Sequence, residues 1–318
     1  VRAHQGPAYL DRIEFRFYGD AATRLPALLA GQANVMGELP TTDAQQLKSG
    51  ANAEKFKLYP VAVPGESVQF FINTTLPPLD DVRVRQALLY LSDRASLVKA
   101  IFGEWSPVAS GPLAAVTRWA LGPTLSAPYY PYDPAKGKAL LAEAGWSDSN
   151  SDGVLDKAGQ KLIVKGVLMS WGELPAIGTI LQSQWKAAGV QLDLEQMPYP
   201  AALEAGRNGT VHLDPFSNSG TDPSSLRTFF HGDNIGAFNW SRVNDPEVNA
   251  WLDQAQELSK PEDRAARYLD VQHRVMDQAW TLPIRDQVNL NAASARVQGL
   301  TYDVQGWFPI LYDVWLGK

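Results

Sequence analysis

The chain contains no cysteine in 318 residues, which excludes disulfides and thiol chemistry and leaves the compartment open. Its four histidines are His4, His212, His231 and His273. No two stand at metal-ligand spacing, and none has a His-x-Glu or His-Glu-x-x-His context. No apolar run approaches the roughly 18 residues of a membrane span, and Val1 to Pro7 holds no apolar signal core. Lys and Arg form no run and the formal net charge is −6, so the electrostatic footprint of a nucleic-acid binder is missing. Phosphate-cradling glycine loops, internal repeats and low-complexity blocks are missing too. Ser217, His212 and Asp214 could be assembled into a triad on paper, but nothing around Ser217 resembles a nucleophile elbow. Catalysis therefore has no support, and no cofactor is implied.

What remains is an ordinary globular composition, 45 % hydrophobic and 19 % charged, in a chain long enough for two domains and a sizeable core. Ile13, Phe15 and Phe17 alternate with Glu14, Arg16 and Tyr18, the pattern of a half-buried strand. A helix over 21–30 follows, with Asp20 as its cap and Gly31 past its end. A short strand at 34–36 and a helix at 42–47 precede two strands, 56–63 and 67–72, which the turn residues Pro64-Gly65 separate. Beyond these lie helices at 94–102 and 134–144, and a β-α-β unit with strands at 162–169 and 190–194 around a helix near 176–188. A helix near 200–205 leads to a strand at 210–216. Two amphipathic helices then run with apolar faces from Val248 to Leu258 and from Tyr268 to Ala279, and a return strand covers 282–290. The Pro-, Gly- and Ala-rich stretch 106–131 reads as a surface wrap. Asp148-Ser149-Asn150-Ser151-Asp152-Gly153 opens like a calcium loop, but Gly159 stands where a bidentate Glu is required, which favours an Asx-turn over a cation site.

The stretch from Phe70 to Leu91 organises the chain. Phe70-Phe71-Ile72 ends a buried strand, and Pro77-Pro78 stop it because neither can donate to a ladder. Asp80 or Asp81 then stands where an N-cap belongs, and Val82, Val84, Ala87, Leu88 and Leu91 form one apolar face. The phrase from Asn73 through Pro78 and Asp81-Val82-Arg83-Val84-Arg85-Gln86-Ala87-Leu88 resembles the signature of the family 5 extracellular solute-binding proteins. These are the dipeptide-, oligopeptide- and nickel-binding receptors of ABC importers. The similarity continues from about Tyr9 to the C-terminus.

That resemblance implies an α/β, two-lobed, type II periplasmic-binding-protein-like fold. The match begins well inside the first lobe, so lobe I is expected to be incomplete. It implies lobe I over 1–73, lobe II over 74–289 and a return to lobe I over 290–318, with hinge crossings near 72–75 and 288–291. The implied function is a receptor, not an enzyme, capturing a solute in an interlobe cleft and presenting it to ABC permease subunits. Its implied place is periplasmic or extracellular and associated with the cell envelope. Contact with the membrane would come only through a lipid anchor or the permease.

The segment that points to a ligand is Phe216-Ser217-Asn218-Ser219-Gly220-Thr221-Asp222-Pro223. A strand ending in a small polar loop puts side chains and backbone groups at the lip of a sheet, where α/β proteins bind ligands. In the family this loop faces the cleft, and peptide-binding members carry an Asp there that pairs with the ligand's α-amino group. The loop is shorter here, with Asp222 its one acid and Thr221 nearest the amine-binding position. The candidate ligand-binding residues are Tyr199, Asn218, Ser219, Thr221, Asp222, Trp171, Trp240 and Arg285. Tyr199 stands where peptide-binding relatives have a Trp, Trp171 and Trp240 are further aromatic walls, and Arg285 is polar on an otherwise apolar strand. Trp146, Trp185, Trp251 and Trp280 are assigned to the core. A peptide is the first reading of the ligand, an oligosaccharide the second, and nickel or a nickel chelate the third. A hydrolase on an α/β scaffold and a pure assembly module are the alternatives of other classes.

Overall fold

Val68-Gln69-Phe70-Phe71-Ile72 is too short for a helix and rich in β-branched and aromatic residues, and it forms the strand on which the larger sheet is built. The computed structural model describes residues 6–169 and 172–317. Its principal strands, in chain order, are β1 (Val35–Met36), β2 (Phe56–Ala62), β3 (Val68–Ile72), β4 (Ile163–Met169), β5 (Gln191–Met197), β6 (Leu213–Phe216), β7 (Thr281–Arg285) and β8 (Val288–Ser294). The helices are α1 (Arg24–Leu29), α2 (Thr41–Leu47), α3 (Val82–Leu91), α4 (Arg94–Phe102), α5 (Pro134–Glu143), α6 (Leu174–Lys186), α7 (Tyr199–Asn208), α8 (Ser225–Phe230), α9 (Pro246–Glu257) and α10 (Pro261–Asp277).

The chain divides into two units. Unit 1 takes the residues up to Pro64, Phe102–Ser106 and the residues from Gln287 on, and unit 2 takes Gly65–Ile101 and Pro107–Asp286. Two of the divisions fall at 64/65 and 286/287, earlier than the crossings expected at 72–75 and 288–291, and two more, at 101/102 and 106/107, bracket a short excursion into unit 1. The reason is strand pairing. β3 lies between β6 and β7 and cannot leave unit 2, and the single return strand expected over 282–290 is two strands, β7 in unit 2 and β8 in unit 1.

In unit 1, β8 is the central strand of an antiparallel sheet, with β1 on one side and β2 on the other. Leu25, Leu28, Met36, Leu39, Leu47 and Leu290 bury one core there, and Ala293, Val297, Leu300 and Val314 gather the tail into another. Residues 11–17 join no strand. Ile13, Phe15 and Phe17 are exposed, Phe17 almost wholly, so the expected half-buried strand is not formed. Alternation supplies an apolar face, but burial needs a neighbour, and no described residue pairs with this segment.

Unit 2 contains the five-stranded sheet β5-β4-β6-β3-β7. β5 and β6 run parallel to β4, while β6 and β7 run antiparallel to β3. The β-α-β unit read from sequence is β4-α6-β5, with Leu174, Ile177, Leu181 and Trp185 of α6 buried. α3 starts where its cap was expected: Asp81 accepts from the Arg83 amide at 2.9 Å and pairs with the Arg83 guanidinium at 2.6 Å. The Arg83 side chain, through hydrogen bonds to the carboxylate, holds Asp81 below the usual range against a smaller opposing effect of burial. Asp81→Ala is expected to cost about 1 kcal/mol, the usual worth of an N-cap side chain, read as a small loss of thermal stability that Asp81→Asn largely restores.

The segment 107–131 is a wrap held by polar side chains. Ser67 Oγ donates to the Gly111 carbonyl at 2.8 Å and Gln69 Nε2 to that of Pro112 at 3.2 Å. The buried Arg94 donates to the carbonyls of Ala109, Pro283 and Tyr130. The acidic loop at 148–156 is closed on itself. Asp148 accepts the amides of Asp152 and Gly153, and Asp156 accepts the amide and hydroxyl of Ser149, as the Asx-turn reading expects. Among the described residues no helix is long and apolar enough to cross a membrane.

Candidate functional site

Strand direction brings most of the candidate residues to one edge of the unit 2 sheet. Met169 and Met197 are level partners in the parallel β4–β5 pair, and β6 runs the same way. β7 is antiparallel to β3, which is antiparallel to β6, so β7 also ends at this edge. The chain leaving β5 carries Tyr199, the chain leaving β6 carries Asn218 to Asp222, and β7 ends in Arg285. The carboxyl ends of parallel strands are where open α/β sheets present ligand sites.

The loop after β6 is anchored at its base, against a neighbouring turn and from behind. At its base, Phe216 stacks into a cluster with Phe229, Phe238 and Trp240, its ring centroid 5.1 Å from that of Trp240. Pro215 is tolerated in β6 because the ladder to β4 is limited to Gly166–Leu213, leaving room for a residue with no N–H to donate. Along the loop, Gly65 forms an antiparallel bridge to Ser219, and the Glu66 amide donates to the Asn218 carbonyl at 2.9 Å. The approach is so close that a Cβ on Gly65 would meet Asn218 O at 2.1 Å, and Gly65 has φ +124°, a value that favours glycine. The Thr117 hydroxyl closes the turn, accepting from Gly65 N at 2.8 Å and donating to Gly65 O at 3.0 Å.

From behind, Arg264 of α10 pairs with Asp222 at 3.3 Å and lies over the rings of Trp119 and Tyr268. Asp222 also accepts the Ser224 amide at 2.9 Å. Partial burial pulls the Asp222 carboxyl upward, but Ser224 and the Arg264 charge outweigh it and hold it below the ordinary range. Asp222 is thus an ionised residue already committed to the loop's own support.

Tyr199 begins α7 between Pro198 and Pro200 and is half exposed. Asn218 and Thr221 are exposed, and Ser219 is half-buried. Arg285 is buried, and desolvation lowers its guanidinium to about 10 despite the nearby charges of Glu173 and Asp286. Its neighbour Asp286 accepts the Ala115 amide at 2.9 Å, and burial pushes it up to about 6. Trp240 does not line the edge. It is 2 % exposed, packed edge-on against Phe71 and Phe216, with Nε1 donating to the Ala237 carbonyl at 2.9 Å. An aromatic that anchors the loop from inside the core cannot also be its outer wall. Trp171 lies outside the described residues. Of the tryptophans assigned to the core, Trp185 and Trp280 are buried, while Trp146 and Trp251 are half-buried.

Sequence reasoning missed two residues that hold the candidate loop, Gly65 and Glu66. Pro64-Gly65 was legible only as a turn. Glu66 carried a usable signal, a charged residue two positions before a strand that is buried throughout. The paper triad is not assembled: both His212 nitrogens are engaged, by the Lys165 amide at 2.8 Å and the Pro77 carbonyl at 2.9 Å, and Asp214 is buried beneath α7, where a Cβ on Gly206 would lie 2.6 Å from its Oδ2. Among the described residues no cluster of three or more His, Asp or Glu could hold a metal ion.

The model of the bacterial extracellular solute-binding proteins, family 5, matches residues 3–237. The chain belongs to this family. Heme-binding protein A of Haemophilus influenzae is 28 % identical over 98 % of the chain and 54 % of its own length. Among solved structures, HbpA2 from Haemophilus parasuis superposes with a TM-score of 0.81 at 25 % identity, over 99 % of this chain and 60 % of that one. AppA from Bacillus subtilis, solved in complex with a nonapeptide, superposes with a TM-score of 0.80 at 23 % identity, over 94 % and 59 %. The chain thus has the α/β fold of the family's periplasmic binding proteins, and it spans about half the length of the curated relatives it matches.

Proposed function

We propose that the chain serves as a solute receptor of an ABC importer, outside the cytoplasmic membrane, and that its ligand is a peptide bound along the carboxyl edge of the unit 2 sheet. The observation that carries this reading is the loop after β6, which presents small polar residues and backbone groups at a sheet edge while glycine contact, ion pair and aromatic cluster hold it in place. Extended peptides offer a repeating pattern of main-chain donors and acceptors, the chemistry such an edge can meet. Relatives described as oligopeptide-binding and as di/tripeptide-binding support the ligand class. Tyr199 supplies an aromatic surface, and Asn218, Ser219 and Thr221 supply adaptable polar contacts, with water completing them.

Calorimetric titration with short synthetic peptides, matched oligosaccharides and hemin tests this. Saturable peptide binding, weakened by Tyr199→Ala, is the expected result. Binding of oligosaccharide or hemin with no response to any peptide would overturn the ligand assignment.

A further inference from the structure

At the opposite edge of the unit 2 sheet from the candidate ligand loop, a cavity of about 330 Å³ opens beside Ile163, the first residue of β4. The strand from Ile163 to Met169 spans about 20 Å at the usual rise per residue, so the two places are distinct. Local pieces of chain build the cavity. Pro77-Pro78 turn the chain after β3, and Asp80 and Asp81 follow at the start of α3. Beyond the end of α5 comes Trp146, its amide donating to the Leu141 carbonyl at 3.0 Å. A short hairpin, Asp156–Lys157 paired with Gln160–Lys161, supplies the remaining side.

Four charged side chains line this space, two of each sign. Two of them are already neutralised: Asp81 pairs with Arg83 at 2.6 Å and Lys161 with Asp152 at 2.6 Å. The other two are not. Lys157 donates to the Ala144 carbonyl at 2.8 Å, an acceptor that fixes the ammonium without cancelling its charge. An ammonium has three donors, so two are left for another partner. Asp80 is exposed, and its carboxylate makes no hydrogen bond or ion pair among the described residues. The buried Arg85 feels its charge but bonds the main-chain carbonyls of Leu79, Asp80 and Gln278. One anion and one cation therefore stand unpaired around a space walled by Trp146, Pro77 and Ile163. That combination suits a molecule with an ammonium, a carboxylate and an apolar group close together. The volume is at the small end for ligand sites, fit for one amino acid, and a peptide terminus would bring only one of the two charges. A second cavity, of about 280 Å³, offers no such pair: its Asp277 accepts the Tyr129 hydroxyl, and its Lys136 lies 4.3 Å from the centre of the Tyr90 ring.

We propose that the cavity beside Ile163 is a second binding site, for a free α-amino acid with an apolar side chain. Asp80 receives the ammonium, Lys157 the carboxylate, and Trp146 the side chain. The inference is independent of the peptide reading, because none of these residues lies at the carboxyl edge.

The test is an NMR titration with leucine, N-acetyl-leucine and leucinamide, read at the indole N–H resonance of Trp146, which Trp146→Phe identifies by its loss. A pH of about 6.5 keeps the leucinamide amine protonated. Leucine is expected to shift the resonance saturably, and each blocked analogue to bind about tenfold more weakly, the scale of one charge-assisted hydrogen bond. Asp80→Asn should weaken leucine about tenfold and leave N-acetyl-leucine unchanged. Lys157→Gln should weaken leucine likewise and leave leucinamide unchanged. Purely structural roles would weaken all three compounds alike and so overturn the assignment. No saturable shift with leucine would overturn it too, as would a response that Tyr199→Ala removes while Asp80→Asn and Lys157→Gln leave it intact. None of these outcomes bears on peptide binding at the other edge.

Discussion

Gly65→Ala is expected to lower the stability of unit 2 by about 4 kcal/mol and to abolish the peptide binding proposed for the loop after β6. Two costs combine. The new Cβ would lie 2.1 Å from Asn218 O and 2.7 Å from Gly220 N, backbone atoms that cannot swing aside as a flexible side chain would, and overpacking of this kind costs about 1–3 kcal/mol. The backbone at φ +124° adds strain of about 1–3 kcal/mol for a residue with a side chain. Relief requires breaking the Gly65–Ser219 bridge and the Glu66–Asn218 hydrogen bond, which frees the loop. At roughly 2–4 °C per kcal/mol for a domain of this size, the melting temperature should fall by about 8–16 °C. Gly220→Ala is the control, since a Cβ there meets nothing within 4 Å, and it should melt within a degree or two of the parent. Equal melting temperatures for the two variants would refute the role assigned to Gly65.

Asp214→Asn is expected to raise stability at alkaline pH and leave it unchanged in acid. Asp214 is 2 % exposed, and desolvation pushes its carboxyl up to about 8. In the unfolded chain the same group titrates near its ordinary value of about 4. Between those two values the unfolded chain gives up a proton that the folded chain keeps, so stability falls as pH rises. The contribution is complete below the ordinary carboxylate range and is lost as pH climbs through about 8. Glu66, raised to about 7, and Asp286, raised to about 6, act with the same sign. His212 acts oppositely: burial chiefly depresses its pKa, and its share of stability is lost as pH falls, because protonation would cost the acceptor that Nδ1 offers the Lys165 amide. Thermal unfolding followed from pH 5 to pH 9 should therefore show the parent losing stability at the alkaline end. The variant should exceed it there by at least about 2 kcal/mol, roughly 4–8 °C, with the gap narrowing toward pH 5 and closing only near the ordinary carboxylate value of about 4. A variant whose curve runs parallel to the parent's at every pH would show that Asp214 is not the group responsible.

The parts of the fold legible in sequence are those decided locally. Asp20 caps the turn before α1 and Asp81 caps α3, each because a short acceptor side chain precedes a helical apolar pattern. The β4-α6-β5 unit was readable because period and punctuation agree. Pairing across long separations was not readable: Phe71 sits opposite Asp214 in β6, and nothing near either residue specifies the other. That contact, together with β7, moves the division between the units to Pro64 and Asp286. Trp240 was misplaced for a related reason, since aromatic content alone cannot tell a wall from a core anchor, and its partners Phe71 and Phe216 come from distant strands. The strand and loop that carry Asn218 to Asp222 were legible because a strand running into a small polar loop is a local pattern. Glu66 was missed because its burial depends on the whole wall around it.

Arg94, whose guanidinium donates to the carbonyls of Ala109, Tyr130 and Pro283, gives the wrap over 107–131 a particular kind of toughness. Desolvation lowers it to about 10, which still keeps it cationic at neutrality, and the oxygens it grips neither titrate nor attract counterions as carboxylates do. High salt and mild acid, which dissolve surface ion pairs, leave such a clamp untouched, so this irregular ribbon stays fastened in conditions that loosen the Asp222–Arg264 brace.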